Sequence, residues 1–202
     1  YVTAIRASQL GLKTAVVERE SLGGICLNWG CIPTKALLKS ANVFEYLTHA
    51  NDYGISVKEA KADFNAMIDR SRGVANGMSN GIQFLMKKNK IDVLKGTGVI
   101  KAGKKVAVTA EDGTVTEYSA GKGVIIATGA RSRELPNLPQ DGEKIIGYRQ
   151  AMTLKSQPKK MVVVGSGAIG VEFAYFYNAI GTEVTVVEYM PNIVPIEDEE
   201  VS

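Results

Sequence analysis

Cys26 and Cys31 are the only cysteines of the chain, and they lie close together in the glycine-rich run of residues 23–35. Such a pair can bind a metal, cross-link a loop or exchange electrons. A zinc site takes about four nitrogen, sulfur or oxygen ligands, and His49 is the only histidine, so we expect no metal. A structural cross-link would close so short a loop that its entropic stabilisation would be small. Redox chemistry is favoured, with the structural disulfide as the alternative.

The residues around Cys31 support redox chemistry. Pro33 suits the first turn of a helix, and the N-terminus of that helix would stabilise a thiolate on Cys31. Lys35 adds a cation four residues later. The flanking glycines would allow a planar ring to approach the backbone closely.

The elements that must position this pair appear in a repeat. Residues 4–18 and 174–188 share one pattern at a constant offset of 170 residues: a helix closed by glycine, then a β-branched strand that ends on glutamate. Gly11 matches Gly181, and Glu18 matches Glu188.

The segment before the second copy is a dinucleotide-binding fingerprint. Residues 161–164 predict a short buried strand, and the next residues open a helix. Its glycines would serve the turn, the backbone approach to a pyrophosphate and the packing of helix on strand. Glu188, 18 residues after the last of them, can accept hydrogen bonds from an adenosine ribose. The predicted binding residues are Gly165, Ser166, Gly167, Ala168, Ile169, Gly170 and Glu188.

The same offset gives an expectation for the first copy. Subtracting it from Gly170 gives the position just before Tyr1, so we expect the chain to begin directly after the last glycine of a first fingerprint. The first strand and that fingerprint would then be missing, and the chain would be a fragment of a larger protein.

Other elements are predicted between the copies. A helix begins at Pro33, and apolar residues over 64–85 predict one or two helices interrupted near Gly73 and Gly77. Short strands are expected at 93–100, 105–110 and 115–119, with a hairpin turn at Asp112 and Gly113. A buried strand over 124–128 is expected to end at Gly129.

The predicted fold class is therefore α/β, with two Rossmann-like dinucleotide-binding units and an inserted antiparallel β-meander. The predicted domains are residues 1–148 and residues 149–202, the second incomplete.

The composition indicates which classes of partner and which cellular compartment to expect. The 202 residues are 45% hydrophobic and 22% charged, with a net charge of +3, which indicates neither nucleic acid nor membrane as a partner. No apolar run approaches the ~18 residues of a membrane span, and no secretory signal opens the chain. Two cysteines are too few for a secreted disulfide scaffold. We expect the cytoplasm, with the mitochondrial matrix as the alternative.

The glycine and cysteine pattern resembles the active-site segment of the flavoprotein disulfide reductases. The matching residues are Gly23, Gly24, Cys26, Asn28, Gly30, Cys31, Pro33 and Lys35. The family also shows a strand end like Ala127, Thr128 and Gly129, and a nicotinamide fingerprint extended by glutamate, like Gly170, Val171 and Glu172. The similarity covers essentially the whole chain and is greatest to members that oxidise dihydrolipoamide.

The resemblance implies that the first unit binds FAD and the second binds NAD. Cys26 would be the thiol that attacks lipoamide, and Cys31 the thiol nearest the flavin. Lys35 would lie near the flavin in a buried ion pair with Glu172, so both would be catalytic and cofactor-binding. Val171 would join the residues that bind NAD. The residues implied to bind FAD are Glu18, Ser21, Leu22, Gly23, Gly24, Ile25, Cys26, Lys35, Gly98, Thr128 and Gly129.

The resemblance also implies partners and machinery outside this chain. The partner would be the lipoyl domain of a 2-oxo acid dehydrogenase complex or of the glycine cleavage system, and the protein would be a homodimer through a C-terminal domain. That domain would carry the catalytic histidine–glutamate pair, a role we do not assign to His49. A second FAD segment also has no match, so we expect this fragment alone to be inactive.

Two alternatives stay open. One is a sister reductase that uses NADPH to reduce disulfides or mercuric ion. Residues 189–192 contain no Arg or Lys to meet a 2′-phosphate, which favours NAD. The other is a non-catalytic nucleotide-binding protein, against which the intact cysteine pair argues.

Overall fold

The computed structural model describes all residues from 1 to 202. Two compact units are formed, one by residues 1–28 and 76–131, the other by residues 29–75 and 132–202. The elements in chain order are α1 (Val2–Gln9), β1 (Ala15–Glu18), α2 (Gly24–Trp29), α3 (Cys31–Thr48), a 3-10 turn (Ala50–Tyr53), α4 (Phe64–Lys88), β2 (Asp92–Lys95), β3 (Thr97–Lys101), β4 (Lys105–Thr109), β5 (Val115–Ser119), α5 (Tyr148–Ala151), β6 (Lys160–Val164), α6 (Ala168–Ala179) and β7 (Glu183–Val187).

The first unit contains two sheets. Strands β1 and β2 pair in parallel, from Ala15 opposite Asp92 to Glu18 opposite Lys95. Strands β3, β4 and β5 form an antiparallel three-stranded sheet. This sheet confirms the inserted meander that the alternating sequence predicts.

Two local features shape the meander. The turn between β4 and β5 has the Asp112 carboxylate accepting from the Thr114 N–H at 2.9 Å, as expected for an Asp-Gly hairpin. The strand predicted over 93–100 is instead two strands, divided at Gly96. That residue has φ +145°, and a Cβ there would lie 2.3 Å from the carbonyl oxygen of Thr109.

The second unit is built around β6, α6 and β7. The two strands are parallel, from Lys160 opposite Glu183 to Val164 opposite Val187, and α6 is the crossover that parallel strands require. The buried cluster of this unit comprises Leu37, Ala41, Phe64, Ile68, Ala151, Met152, Phe173, Phe176, Tyr177 and Ile180. With the first unit, it confirms the α/β class. The domain boundary at residues 148 and 149 stays a prediction.

The two copies of the repeat end their helices in the same way. The Gly11 N–H donates to the Ser8 carbonyl at 2.9 Å, and the Gly181 N–H donates to the Asn178 carbonyl at 2.9 Å. Both glycines have positive φ, +81° and +101°, which a glycine adopts at little steric cost. The offset of 170 residues therefore holds in backbone geometry as well as in sequence.

The expected break in α4 is wrong. The helix runs without interruption from Phe64 to Lys88, through Gly73 and Gly77. Both glycines are exposed, and each costs a helix only about 0.5–1 kcal/mol relative to alanine. Burial of Ile68, Ala75, Ile82 and Met86 on one side of the helix offsets that cost.

The expected buried strand over residues 124–128 is also wrong. These residues belong to no strand, and Ile125 and Ile126 are 71% and 70% exposed. A strand requires a neighbour to accept its backbone hydrogen bonds, and no strand of the structure pairs with this run. Apolar character alone therefore does not make it a strand.

The turn from β6 into α6 depends on a close backbone approach. Gly165 has φ +100°, and a Cβ added at Gly170 would lie 2.1 Å from the Gly165 carbonyl oxygen. No side chain fits between them. The third glycine of the fingerprint is thus required by helix–strand packing, as the sequence predicts.

Replacing Gly170 with alanine tests this packing. Alanine favours helices, yet the overlap should lower the free energy of unfolding by about 1–3 kcal/mol. Gly73→Ala is the matched control, because Gly73 is a glycine within a helix whose Cβ would meet nothing within 4 Å; it should raise stability by about 0.5–1 kcal/mol. Urea denaturation measures both, and equal effects would contradict the packing argument.

Candidate functional site

The two cysteines form a disulfide bond in the structure. The predicted helix is present as α3, but it begins at Cys31, two residues before the predicted start at Pro33. Cys26, predicted to lie on the glycine loop, is instead the third residue of the short helix α2. Both cysteines are exposed, so an incoming thiolate can reach the pair.

A buried amide fixes the turn that leads to Cys26. The Asn28 side chain donates to the carbonyl oxygens of Leu22 at 2.9 Å and Gly24 at 3.0 Å. Ser79 donates to the same Leu22 oxygen at 3.2 Å. Gly23 and Gly24 have φ +109° and +75°, which admit this tight path. Asn28 is therefore a positioning residue that the sequence reasoning did not assign, although it belongs to the matching pattern.

The start of α3 provides an electrostatic setting for Cys31. The Thr34 N–H donates to the Gly30 carbonyl at 3.0 Å and closes the first turn. The N–H groups of the first turn and the helix dipole favour negative charge at this end. The arrangement favours a thiolate on Cys31 once the disulfide is reduced.

Lys35 and Glu172 form the predicted ion pair, with the Lys35 ammonium on Oε1 of Glu172. They join α3 to α6 within the second unit. The pair is not buried, contrary to expectation: the Lys35 side chain is 63% exposed and that of Glu172 is 25% exposed. A lysine ammonium is strongly hydrated and its flexible stem carries it to the surface.

Trp29 lies under two cations that the sequence did not predict. The guanidinium carbon of Arg72 is 4.1 Å from the centre of its ring, and that of Arg149 is 4.9 Å away. Burial, and then the charge of Arg149, lowers the pKa of Arg72. Cation–π contacts of this kind hold the indole just before Cys31. They join residues far apart in sequence, so no local pattern signals them.

The first unit brings some of the implied FAD residues together. A Cβ added at Gly129, which has φ +76°, would lie 3.9 Å from the Ile25 side chain. A Cβ added at Gly98 would lie 3.2 Å from Val17 of β1. At Gly98 a side chain would be crowded by Val17. Both glycines are exposed, so a flat cofactor could approach their backbone. Thr128 is exposed beside Gly129.

Glu18 and Glu188 occupy equivalent positions in the two copies. Each carboxylate accepts a hydrogen bond from the N–H two residues later: Glu20 to Glu18 at 2.8 Å, and Met190 to Glu188 at 2.9 Å. A carboxylate held at the end of the second strand, past a fingerprint helix, is where a ribose is bound in this motif.

Glu188 is held by further donors. One of its oxygens accepts from the N–H and the hydroxyl of Ser166, both at 2.7 Å, and the other accepts from Tyr189 at 2.8 Å and Met190. The hydrogen bond from the Met190 N–H, followed by those from Ser166, lowers the pKa of Glu188 to about 2. The side chain is therefore ionised at neutral pH and can repel a phosphate.

For the remaining residues, the role in cofactor binding stays a prediction. Gly167 is the N-cap of α6, and Ala168, Ile169 and Val171 lie in its first turn. Ser21 precedes the turn at Gly23. The positions fit cofactor binding, but none of these residues shows a side-chain contact that bears on it.

Comparison with known proteins identifies the family. A sequence model described as "Pyridine nucleotide-disulphide oxidoreductase" matches residues 1–202. The chain belongs to this family of oxidoreductases. The cofactors of pyridine nucleotide-disulphide oxidoreductases are FAD and NAD. The glycines, the ionised Glu188 and the disulfide described above are consistent with the binding of FAD and NAD.

Relatives of the chain include two bacterial proteins named dihydrolipoyl dehydrogenase. The protein from Rhizobium etli is 49% identical over 100% of this chain and 45% of its own length. The protein from Zymomonas mobilis is 49% identical over 100% of this chain and 43% of its own length. The chain thus spans less than half the length of these curated relatives.

Solved structures show the same fold. LpdA from Mycobacterium tuberculosis superimposes with a TM-score of 0.87 at 29% identity, over 98% of this chain and 44% of that chain. The HOCl-induced flavoprotein disulfide reductase RclA from Escherichia coli gives a TM-score of 0.81 at 26% identity, over 99% of this chain and 42% of that chain. In our structure, no helix has the length and apolar character needed to span a membrane.

The exposure of Lys35 sets the expected strength of its ion pair. In a double-mutant cycle with Lys35→Met and Glu172→Gln, we expect a coupling free energy of about 0.2–1 kcal/mol, since exposed pairs are screened by water. Lys160 and Glu183, paired at 2.9 Å with both side chains exposed, provide the control cycle. Urea unfolding measures both couplings. A value of about 3 kcal/mol for Lys35–Glu172 would show that the pair behaves as buried.

Proposed function

We propose that the protein carrying this chain oxidises protein-bound dihydrolipoamide to lipoamide, with NAD as the final acceptor. The exposed Cys26–Cys31 disulfide carries the proposal. It lies at the start of α3, where a thiolate is stabilised, in a chain that also has a nucleotide fingerprint. The relatives named dihydrolipoyl dehydrogenase support the choice of substrate.

The dithiol half-reaction is a pair of exchanges. A substrate thiolate attacks the sulfur of Cys26, a substrate–Cys26 bond forms, the Cys26–Cys31 bond breaks, and Cys31 leaves as a thiolate. The second substrate thiolate then attacks the substrate sulfur of that mixed disulfide and releases Cys26. The substrate is oxidised to a cyclic disulfide, the protein disulfide is reduced to two thiols, and the two substrate protons pass to the medium or the released thiolates.

The cofactors complete the proposal. FAD, bound in the first unit, would accept the electron pair from the reduced cysteines and deliver it as hydride to NAD bound in the second. Glu18, Gly98 and Gly129 would bind FAD. The glycines of the fingerprint, together with Glu188, would bind NAD. Lys35, kept in place by Glu172, would lie near the flavin, while the N-terminus of α3 favours the Cys31 thiolate.

The proposed partners and setting follow from the substrate. The partner would be the lipoyl domain of a 2-oxo acid dehydrogenase complex or of the glycine cleavage system, and the whole protein would act as a homodimer. We propose a cytoplasmic setting, with the mitochondrial matrix as the alternative.

Coenzyme choice is the first test. The Glu188 carboxylate accepts from hydroxyls and repels a 2′-phosphate, so the full-length protein should prefer NAD to NADP by at least about tenfold in kcat/KM. Glu188→Gln should reduce this preference several-fold. The control is Glu183→Gln, which changes the exposed glutamate at the start of β7, at the opposite end of the strand from Glu188, and should leave the ratio unchanged. Equal kcat/KM for both coenzymes in the native protein would exclude the assignment to NAD.

The cysteine roles are the second test. In the full-length, FAD-loaded protein, Cys26→Ser should abolish lipoamide turnover but keep a long-wavelength absorption band between the Cys31 thiolate and the flavin. Cys31→Ser should abolish both, because the stabilised thiolate is lost. Absorption spectra and steady-state assays measure the two properties. A band that survives in Cys31→Ser and vanishes in Cys26→Ser would reverse the roles.

A further inference from the structure

The carboxylate of Glu188 has no acceptor capacity left. An ionised carboxylate offers about four lone-pair sites on its two oxygens. In the structure four donors occupy them: the N–H groups of Ser166, Tyr189 and Met190, and the hydroxyl of Ser166. A ribose hydroxyl that donates to Glu188 must therefore replace one of them.

The four donors are not equally replaceable. Three are backbone N–H groups, held by the turn after β7 and by the turn after β6, and they cannot leave without moving the main chain. The Ser166 hydroxyl is on a side chain and can be redirected by bond rotation. Its oxygen also accepts from the Val194 N–H at 3.1 Å, and that N–H has a second acceptor in the Ser166 carbonyl at 3.1 Å. If the Ser166 hydroxyl turns away from Glu188, the Val194 N–H therefore still has a hydrogen-bond acceptor.

We propose that the Ser166 hydroxyl is an exchangeable donor, which holds a Glu188 lone pair until an adenosine ribose hydroxyl of the incoming dinucleotide takes its place. The inference rests on the proposed binding of NAD by this unit. Each binding event must then break one charge-assisted hydrogen bond within the protein. Ser166 thereby weakens nucleotide binding, although it lies in the middle of the fingerprint.

Binding measurements on Ser166→Ala test the exchange. The full-length protein is first loaded with FAD, so that only the nucleotide site of the second unit is vacant. NAD is then titrated by calorimetry. Alanine frees the lone pair while the three backbone donors still position Glu188, so affinity for NAD should rise about three- to tenfold. Ser166→Cys, which has a somewhat larger side chain and a weaker donor, should give a smaller rise. It also provides a second variant should the alanine protein fold poorly.

A ligand change separates exchange from a general loosening of the loop. An NAD analogue with 2′,3′-dideoxyadenosine has no hydroxyl to donate, so Ser166→Ala should leave its affinity unchanged. Ser71→Ala removes another fully buried hydroxyl, one that donates to the Pro33 carbonyl, and should leave NAD affinity unchanged.

The outcomes are distinct. Unchanged or weaker NAD binding in Ser166→Ala overturns the exchange, and so does an equal gain for NAD and its dideoxy analogue. Those results leave the proposed function intact as long as the native protein binds NAD. Failure of the native FAD-loaded protein to bind NAD overturns both.

Discussion

The parallel pairing of β1 with β2 is the constraint on which the rest of the structure depends. Parallel neighbours cannot be joined by a tight turn, so the chain needs a long crossover between Glu18 and Asp92. That crossover contains α2, α3 and α4. The dithiol is therefore not an addition to a nucleotide-binding unit but part of the connection that the sheet requires. Its helix N-terminus, which favours a thiolate, comes from the same connection.

The second pair of parallel strands also needs a crossover, but here the connection is short. Strands β6 and β7 are joined by α6 alone, and the contact between Gly165 and Gly170 brings helix and strand together. The acid at the end of β7 is then held beside the fingerprint by Ser166. One architectural rule thus produces two outcomes. The long crossover carries the Cys26–Cys31 disulfide, and the short one positions the Glu188 carboxylate beside the fingerprint.

Features that depend on local sequence could be predicted. The repeat, the fingerprint and the hairpin at Asp112 rest on glycines and turn residues whose conformations are set by their own stereochemistry. The ion pair of Lys35 and Glu172 followed from the family pattern, whereas its exposure depends on surroundings that no pattern records. The apolar run around Ile125 predicts a strand only if a neighbour is assumed. Trp29 and its two arginines act through contacts between residues far apart in sequence, so composition and spacing do not reveal them. Asn28 belongs to the family pattern, but its hydrogen bonds to Leu22 and Gly24 depend on the folded turn.

The position of Trp29 has a consequence for observing the protein. It is the only tryptophan of the chain, and it lies three residues after Cys26 and two before Cys31. Disulfides accept electrons from an excited indole and quench its fluorescence at short range, whereas thiols do so less efficiently. The guanidinium groups stacked on the ring restrict its movement. The chain therefore carries an intrinsic optical reporter beside its redox pair, and its emission should brighten as the disulfide is reduced, without any label.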